Sequence, residues 1–154
     1  MSRTMSKLIL TVIVLIFGIS LTTIGQGKSE DRHPIDIKLL QCFDTDSNFM
    51  TTTGRIHCYE IAKEDWEKEL NIHYDILLNV LAEGAKIKLK KSQIKWFEFR
   101  DLEYEFSNEM YLDIRNRSTM SKEFNAITKY EIVKARALEL KSHYDSFTFE
   151  WIIE

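Results

Sequence analysis

RIHCYEIAKEDWEKELNIHYDILLNVLA, Arg55 to Ala82, decides the fold. Neither proline nor glycine interrupts it. Tyr59, Ala62, Trp66, Leu70, Tyr74, Leu77 and Leu81 recur at steps of three and four, which places them on one side of an α-helix. The pattern predicts a helix over about Thr52 to Ala82, roughly 45 Å long at about 1.5 Å per residue.

The same periodicity continues downstream. Glu83-Gly84-Ala85 is the expected break, because glycine readily takes the left-handed cap conformation. A second helix is expected from about Lys86 to Arg115. Its main stripe is Leu89, Trp96, Phe99, Phe106 and Met110, widened by Leu102 and Ile114. Asn116 to Thr119 reads as a polar connection. A third helix is expected over Ser121 to Tyr144, with Phe124, Ile127, Tyr130, Val133, Ala137, Leu140 and Tyr144 on its apolar side. Upstream, Pro34 and Asp36 suit a first turn and predict a short helix to about Cys42. Ile35, Leu39, Leu40 and Phe43 would line that helix. In the tail SFTFEWIIE, Phe147, Phe149 and Trp151 alternate as in a strand, but no partner strand is visible. A lone strand is unstable, so an irregular or helical tail packed on the bundle is expected.

The predicted fold class is therefore all-α. It is an antiparallel bundle of about three long helices plus a short N-terminal helix. The expected divisions are a signal peptide at 1–25, a flexible leader at 26–33, the helical domain at 34–146 and a tail at 147–154.

The signal reading comes from the N-terminus. Arg3 and Lys7 precede the apolar run LILTVIVLIFGISLTTIG, Leu8 to Gly25, and small residues follow at Thr23, Gly25 and Gly27. This is the pattern of a secretory signal, with cleavage expected after Gly25. The rival reading is an uncleaved membrane anchor. The run is only marginally long enough to span a bilayer, where about 20 residues are typical. Cleavage would take the formal charge from -3 to -5, because Arg3 and Lys7 are the only charged residues removed. A mildly acidic chain lacks the basic surface that nucleic-acid binding needs. The expected location is the periplasm or the extracellular space, with no membrane contact after cleavage.

Little in the chain points to catalysis or cofactors. Cys42 and Cys58 could form one disulfide in an oxidising compartment, or pair on a metal. DTDSNFMTTTGR, Asp44 to Arg55, has acidic and amide residues at alternate positions. It places Phe49 and Arg55 where a calcium loop needs glycine and glutamate. It reads as a turn ending in a threonine helix cap. Asp65, Glu69 and His73 share a helix face without the second motif of a bundle metal site, so they read as a solvated face. No serine has a histidine and an acid at a recognisable spacing. The expectation is a protein that is not an enzyme, with no catalytic, cofactor or metal residues.

LKKSQIKWFEFRD, Leu89 to Asp101, carries the remaining signal. On a helix, Gln93, Trp96 and Arg100 share a face that Glu103 continues. Arg100 and Glu103 are spaced for an ion pair. Asn71, on the side of Tyr74 and Leu78, could meet this polar line from the facing helix. The structural reading is a satisfied polar layer that sets the register of two helices. The functional reading is a ligand or partner site.

DWEKELNIHY, Asp65 to Tyr74, followed by LKKSQIKWFEFRD, resembles the LprI-like family of small exported bacterial proteins. The matching residues, in order, are Cys42, Cys58, Leu70, Asn71, Tyr74, Gln93, Trp96, Phe99, Arg100 and Asp101. Trp66 and Glu103 accompany them, and KARALEL with Arg136 resembles the family's late helix. The resemblance covers about residues 38–145. It implies a helical bundle in which these motif residues are structural. Many members carry a cysteine where this chain has Tyr104, and another near the C-terminus. This chain has neither, which leaves Cys42 and Cys58 as the pair. The resemblance also implies inhibition of lysozyme, although the lipid-attachment cysteine of a surface lipoprotein is absent. The expected partner is a protein, with lysozyme implied, and the exposed acidic loop Phe43 to Thr53 is the candidate contact. The alternative is a non-enzymatic structural or interaction module of the cell envelope with an unidentified protein partner.

Overall fold

The structure is a computed structural model that describes residues 32–44, 51–113 and 118–152. Four helices account for almost all of them: α1 (Pro34–Phe43), α2 (Thr52–Val80), α3 (Glu83–Leu112) and α4 (Thr119–Ile152). The signal segment, most of the leader and the middle of the Asp44 to Arg55 loop lie outside the described residues. From His33 onward the chain forms one compact unit. No helix among the described residues is long and apolar enough to cross a membrane.

Local chemistry starts each helix. Pro34 opens α1, and His33 Nδ1 accepts the Ile35 amide at 3.3 Å. Thr51 Oγ1 accepts the Gly54 amide at 3.0 Å and caps α2. Ser118 Oγ accepts the Ser121 amide at 3.0 Å at the start of α4. The α2–α3 break falls earlier than Gly84. Leu81 and Ala82 are extended, with ψ of 150° and 154°, and Gly84 lies inside α3. Two extended residues turn the chain without a left-handed cap. The tail is helical as far as Ile152, as an uninterrupted continuation of α4.

Side-chain pairings give the relative directions. The Cys42–Cys58 disulfide, with Cα atoms 5.8 Å apart, and the Lys38–Asp65 contact make α1 antiparallel to α2. Ser107–Asn125 and Gln93–Arg136 make α3 antiparallel to α4. Arg55–Glu123 and Lys134 over the Trp66 ring make α2 run parallel to α4.

The core is built from three of these helices. Ile35 and Leu39 come from α1. Cys58, Ala62, Trp66, Leu70 and Leu77 come from α2. Tyr130, Val133, Ala137 and Leu140 come from α4. The α2 row follows the spacing read from the sequence, because steps of three and four keep one side of a helix facing inward.

α3 departs from expectation. None of its described hydrophobic side chains is fully buried. Leu89, Trp96 and Tyr104 pack against the core from its edge. Phe99, Leu102, Phe106 and Met110, expected as core, are 50%, 65%, 59% and 43% exposed. The residues α3 buries instead are Gln93 and Ser107. Arg136 and Asn125 on α4 explain the rotation. Buried polar groups need partners, and α3 turns its own polar side toward them. Phe124 and Leu40, also expected in the apolar stripes, are exposed as well.

Candidate functional site

The α3–α4 contact is held by two polar layers. In the first, Arg136 is buried and donates from Nε and Nη2 to Gln93 Oε1, at 3.1 and 3.0 Å. Its Nη2 also reaches Ser92 Oγ at 3.3 Å, and its Nη1 reaches Glu139 Oε2 at 2.8 Å. Gln93 Nε2 is buried with no partner among the described residues. In the second layer, Ser107 Oγ donates to Asn125 Oδ1 at 2.5 Å. Asn108 Oδ1 accepts from Asn125 Nδ2 and Lys129 Nζ at 3.0 and 2.8 Å.

The motif residues divide between the inside and the outside of the molecule. Trp66 and Leu70 are core, and Tyr74 packs against it. Asn71 is exposed and does not meet Gln93. Arg100 pairs with Asp101, at 2.6 Å, and not with Glu103. Its guanidinium lies 4.9 Å from the centre of the Phe97 ring and 5.6 Å from that of Trp96. Asp101 and Phe99 are exposed, and Glu103 is half-buried. Gln93 therefore meets Arg136, a residue 43 positions away, and not the arginine seven positions on.

A third cluster joins α1 to α4. Asp36 accepts from Tyr130 Oη at 2.8 Å and from Lys134 Nζ at 2.9 and 2.8 Å. Burial opposes ionisation of Asp36, but the hydrogen bonds from Lys134 and Tyr130 outweigh it and hold the carboxyl below its ordinary value. Burial, then the bond to Asp36, pushes the Tyr130 hydroxyl up to about 12. Sequence reading missed this cluster. Its one visible trace is the four-residue spacing of Tyr130 and Lys134, and nothing local points to a carboxylate 94 residues earlier.

Beside it, Glu69 lies 3.0 Å from His73 Nε2 and 3.6 Å from His33 Nε2, and the His33 ring packs 4.3 Å from that of Trp66. His73 is buried, so this side of α2 is not the solvated face expected for it. No group of three metal-ligating side chains occurs among the described residues.

The exterior of α3 carries two parallel features. Glu98, Asp101, Glu105 and Glu109 recur at steps of three and four and are all exposed, which makes an acidic ridge. Next to the ridge runs the exposed row Phe99, Leu102, Phe106 and Met110. Phe99 of that row lines an open groove of about 600 Å³ between α3 and α4, walled also by Trp96, Ile127, Ile132 and Ala135. These surfaces hold no convergent catalytic groups.

Comparison with known proteins adds the family. The model described as lysozyme inhibitor LprI matches residues 42–140. A crystal structure of an uncharacterized protein from Burkholderia thailandensis superposes with a TM-score of 0.71 at 26% identity, over 76% of this chain and 56% of that one. The chain thus spans little more than half the length of that relative. No curated protein matches the chain.

Proposed function

The chain belongs to the lysozyme inhibitor LprI family, and from that membership we propose that it is an exported envelope protein that inhibits lysozyme by binding the enzyme. The family match carries this reading. The Cys42–Cys58 disulfide supports it, because such bonds persist in oxidising compartments outside the cytoplasm. The signal pattern of residues 1–25 supports export to the periplasm or beyond.

The contact surface in this reading is the acidic ridge of α3. Lysozymes are cationic, and opposite charge steers association and fixes orientation. Within the ridge Glu105 forms no ion pair with another described residue, so its charge is open to a partner. The protein does no chemistry of its own in this reading. It acts by occluding the enzyme's substrate cleft.

The test uses protein expressed from the full-length sequence and purified in its exported form. It is titrated into c-type, g-type and i-type lysozymes while cell-wall lysis is followed. Saturable inhibition of one class is expected. Replacing Glu98 and Glu105 together by lysine should weaken that inhibition by about tenfold or more and flatten its salt dependence. Full activity of all three classes at micromolar protein would overturn the reading.

A further inference from the structure

The charged residues of α3 divide along its length. Lys86, Lys88, Lys90, Lys91 and Lys95 lie in its first half, and Glu98, Asp101, Glu103, Glu105 and Glu109 in its second. The helix dipole favours the opposite order, with acids near the start and bases near the end. Glu83 in the first turn of α3 suits the dipole, while Lys86 beside it and Glu109 in the last turn oppose it, and the effect fades beyond the terminal turns. Few of these charges find partners inside the fold. Lys95 pairs with Glu98 at the surface and Arg100 with Asp101, while Lys88, Lys91, Glu105 and Glu109 have no ion-pair partner among the described residues.

We infer that the apolar row Phe99, Leu102, Phe106 and Met110 is the interface for a second copy of this chain, docked with its α3 antiparallel. A two-fold axis would pass beside Leu102. Phe99 of each copy then faces Phe106 of the other, and Leu102 lies against its own counterpart. The register follows from the row, whose steps of three and four keep one side of α3 turned to the neighbour.

Charge complementarity selects this occupant. In the antiparallel register the lysine half of one α3 lies along the acidic half of the other. Lys91, Lys95 and Glu109 fall on the same flank of the row, so Lys91 and Lys95 of one copy approach Glu109 of the other. The exposed Lys95–Glu98 pair is a weak contact that can exchange for this one. A two-fold interface must be self-complementary, and one helix with a lysine half, an acidic half and an apolar row is. The groove walled by Ile127, Ile132 and Ala135 meets the row at Phe99 and extends the apolar surface available to the second copy there. Glu98, Asp101 and Glu105 stay outside the contact at its rim.

The test is sedimentation equilibrium of the exported protein at tens of micromolar, run beside four variants. Wild type is expected to have twice the monomer mass. Phe106→Glu should be monomeric with an unchanged helical circular-dichroism spectrum. Leu102→Cys should be captured by mild oxidation as a disulfide-linked dimer, because a residue on the two-fold axis meets its own copy. Lys91→Glu with Lys95→Glu should dissociate the dimer, and adding Glu109→Lys should restore it. A wild-type monomer throughout this range overturns the proposal, as does one that gains mass only when lysozyme is added. A dimer that Leu102→Cys does not cross-link, or that ignores the charge reversals, also overturns it.

Discussion

Arg136 of α4 places two guanidinium hydrogens on one oxygen of Gln93 of α3, and both residues are buried, at 6% and 4% exposure. A long-range polar contact of this kind is costly to leave half-made. Removing one partner strands a buried donor or acceptor, which loses its bonds to water and gains nothing in return.

Arg136→Ala should destabilise the fold by about 3 kcal/mol, and Gln93→Ala by less, because Arg136 keeps its bonds to Glu139 and Ser92. The double variant should cost clearly less than the sum. Urea denaturation of the four proteins measures the coupling. Simple additivity would mean that the two side chains do not act together.

Trp66 and Phe106 are both large aromatics on helical stripes, but only Trp66 is core, with no exposed surface. Trp66→Ala should cost about 4 kcal/mol through the cavity it opens. Phe106→Ala should cost less than about 1 kcal/mol when measured at concentrations where the chain is monomeric. Thermal melts of the two variants give the comparison. Equal losses would place α3 in the core after all.

The disulfide ties the end of α1 to the start of α2 across 16 residues. Replacing Cys42 and Cys58 together by serine should lower stability by about 3 kcal/mol, chiefly by freeing the unfolded chain. The four helices should persist, since Ile35 and Leu39 still pack on the α2 and α4 core. Circular dichroism and denaturant midpoints, with and without reductant, test both points. A loss of helicity on reduction at room temperature would show that the bond holds the fold itself.

Asp36 titrates below its ordinary value of 3.8 in the folded protein. Its contribution is therefore present above that pH and is lost as pH falls through the lower folded value. Asp36→Asn should flatten the acid side of the stability profile. Tyr130 behaves oppositely at the other end. Its hydroxyl is raised to about 12, so the stability it lends is present below about pH 10 and is lost as pH rises toward the folded value. A spectroscopic tyrosine titration should find Tyr130 and Tyr104 ionising late, since burial pushes Tyr104 up to about 12 as well. Ordinary titration of all six tyrosines would contradict the packing described for both.

The sequence by itself determined the helices and most of the core. The spacing of Ala62, Trp66, Leu70 and Leu77 makes one apolar side, and Pro34 and a threonine cap mark the starts of α1 and α2, because these signals act over one or two turns of chain. The tertiary structure decided which side of α3 faces inward. Its apolar row and its polar line are both regular, and periodicity alone favours the apolar one. Arg136 and Asn125, more than fifteen residues away in the chain, supply buried hydrogen-bonding groups that Gln93 and Ser107 turn inward to meet. The same distance in sequence hid the Asp36–Tyr130–Lys134 cluster. A local pattern records which side chains share a face, and only the packed helices determine what that face must touch.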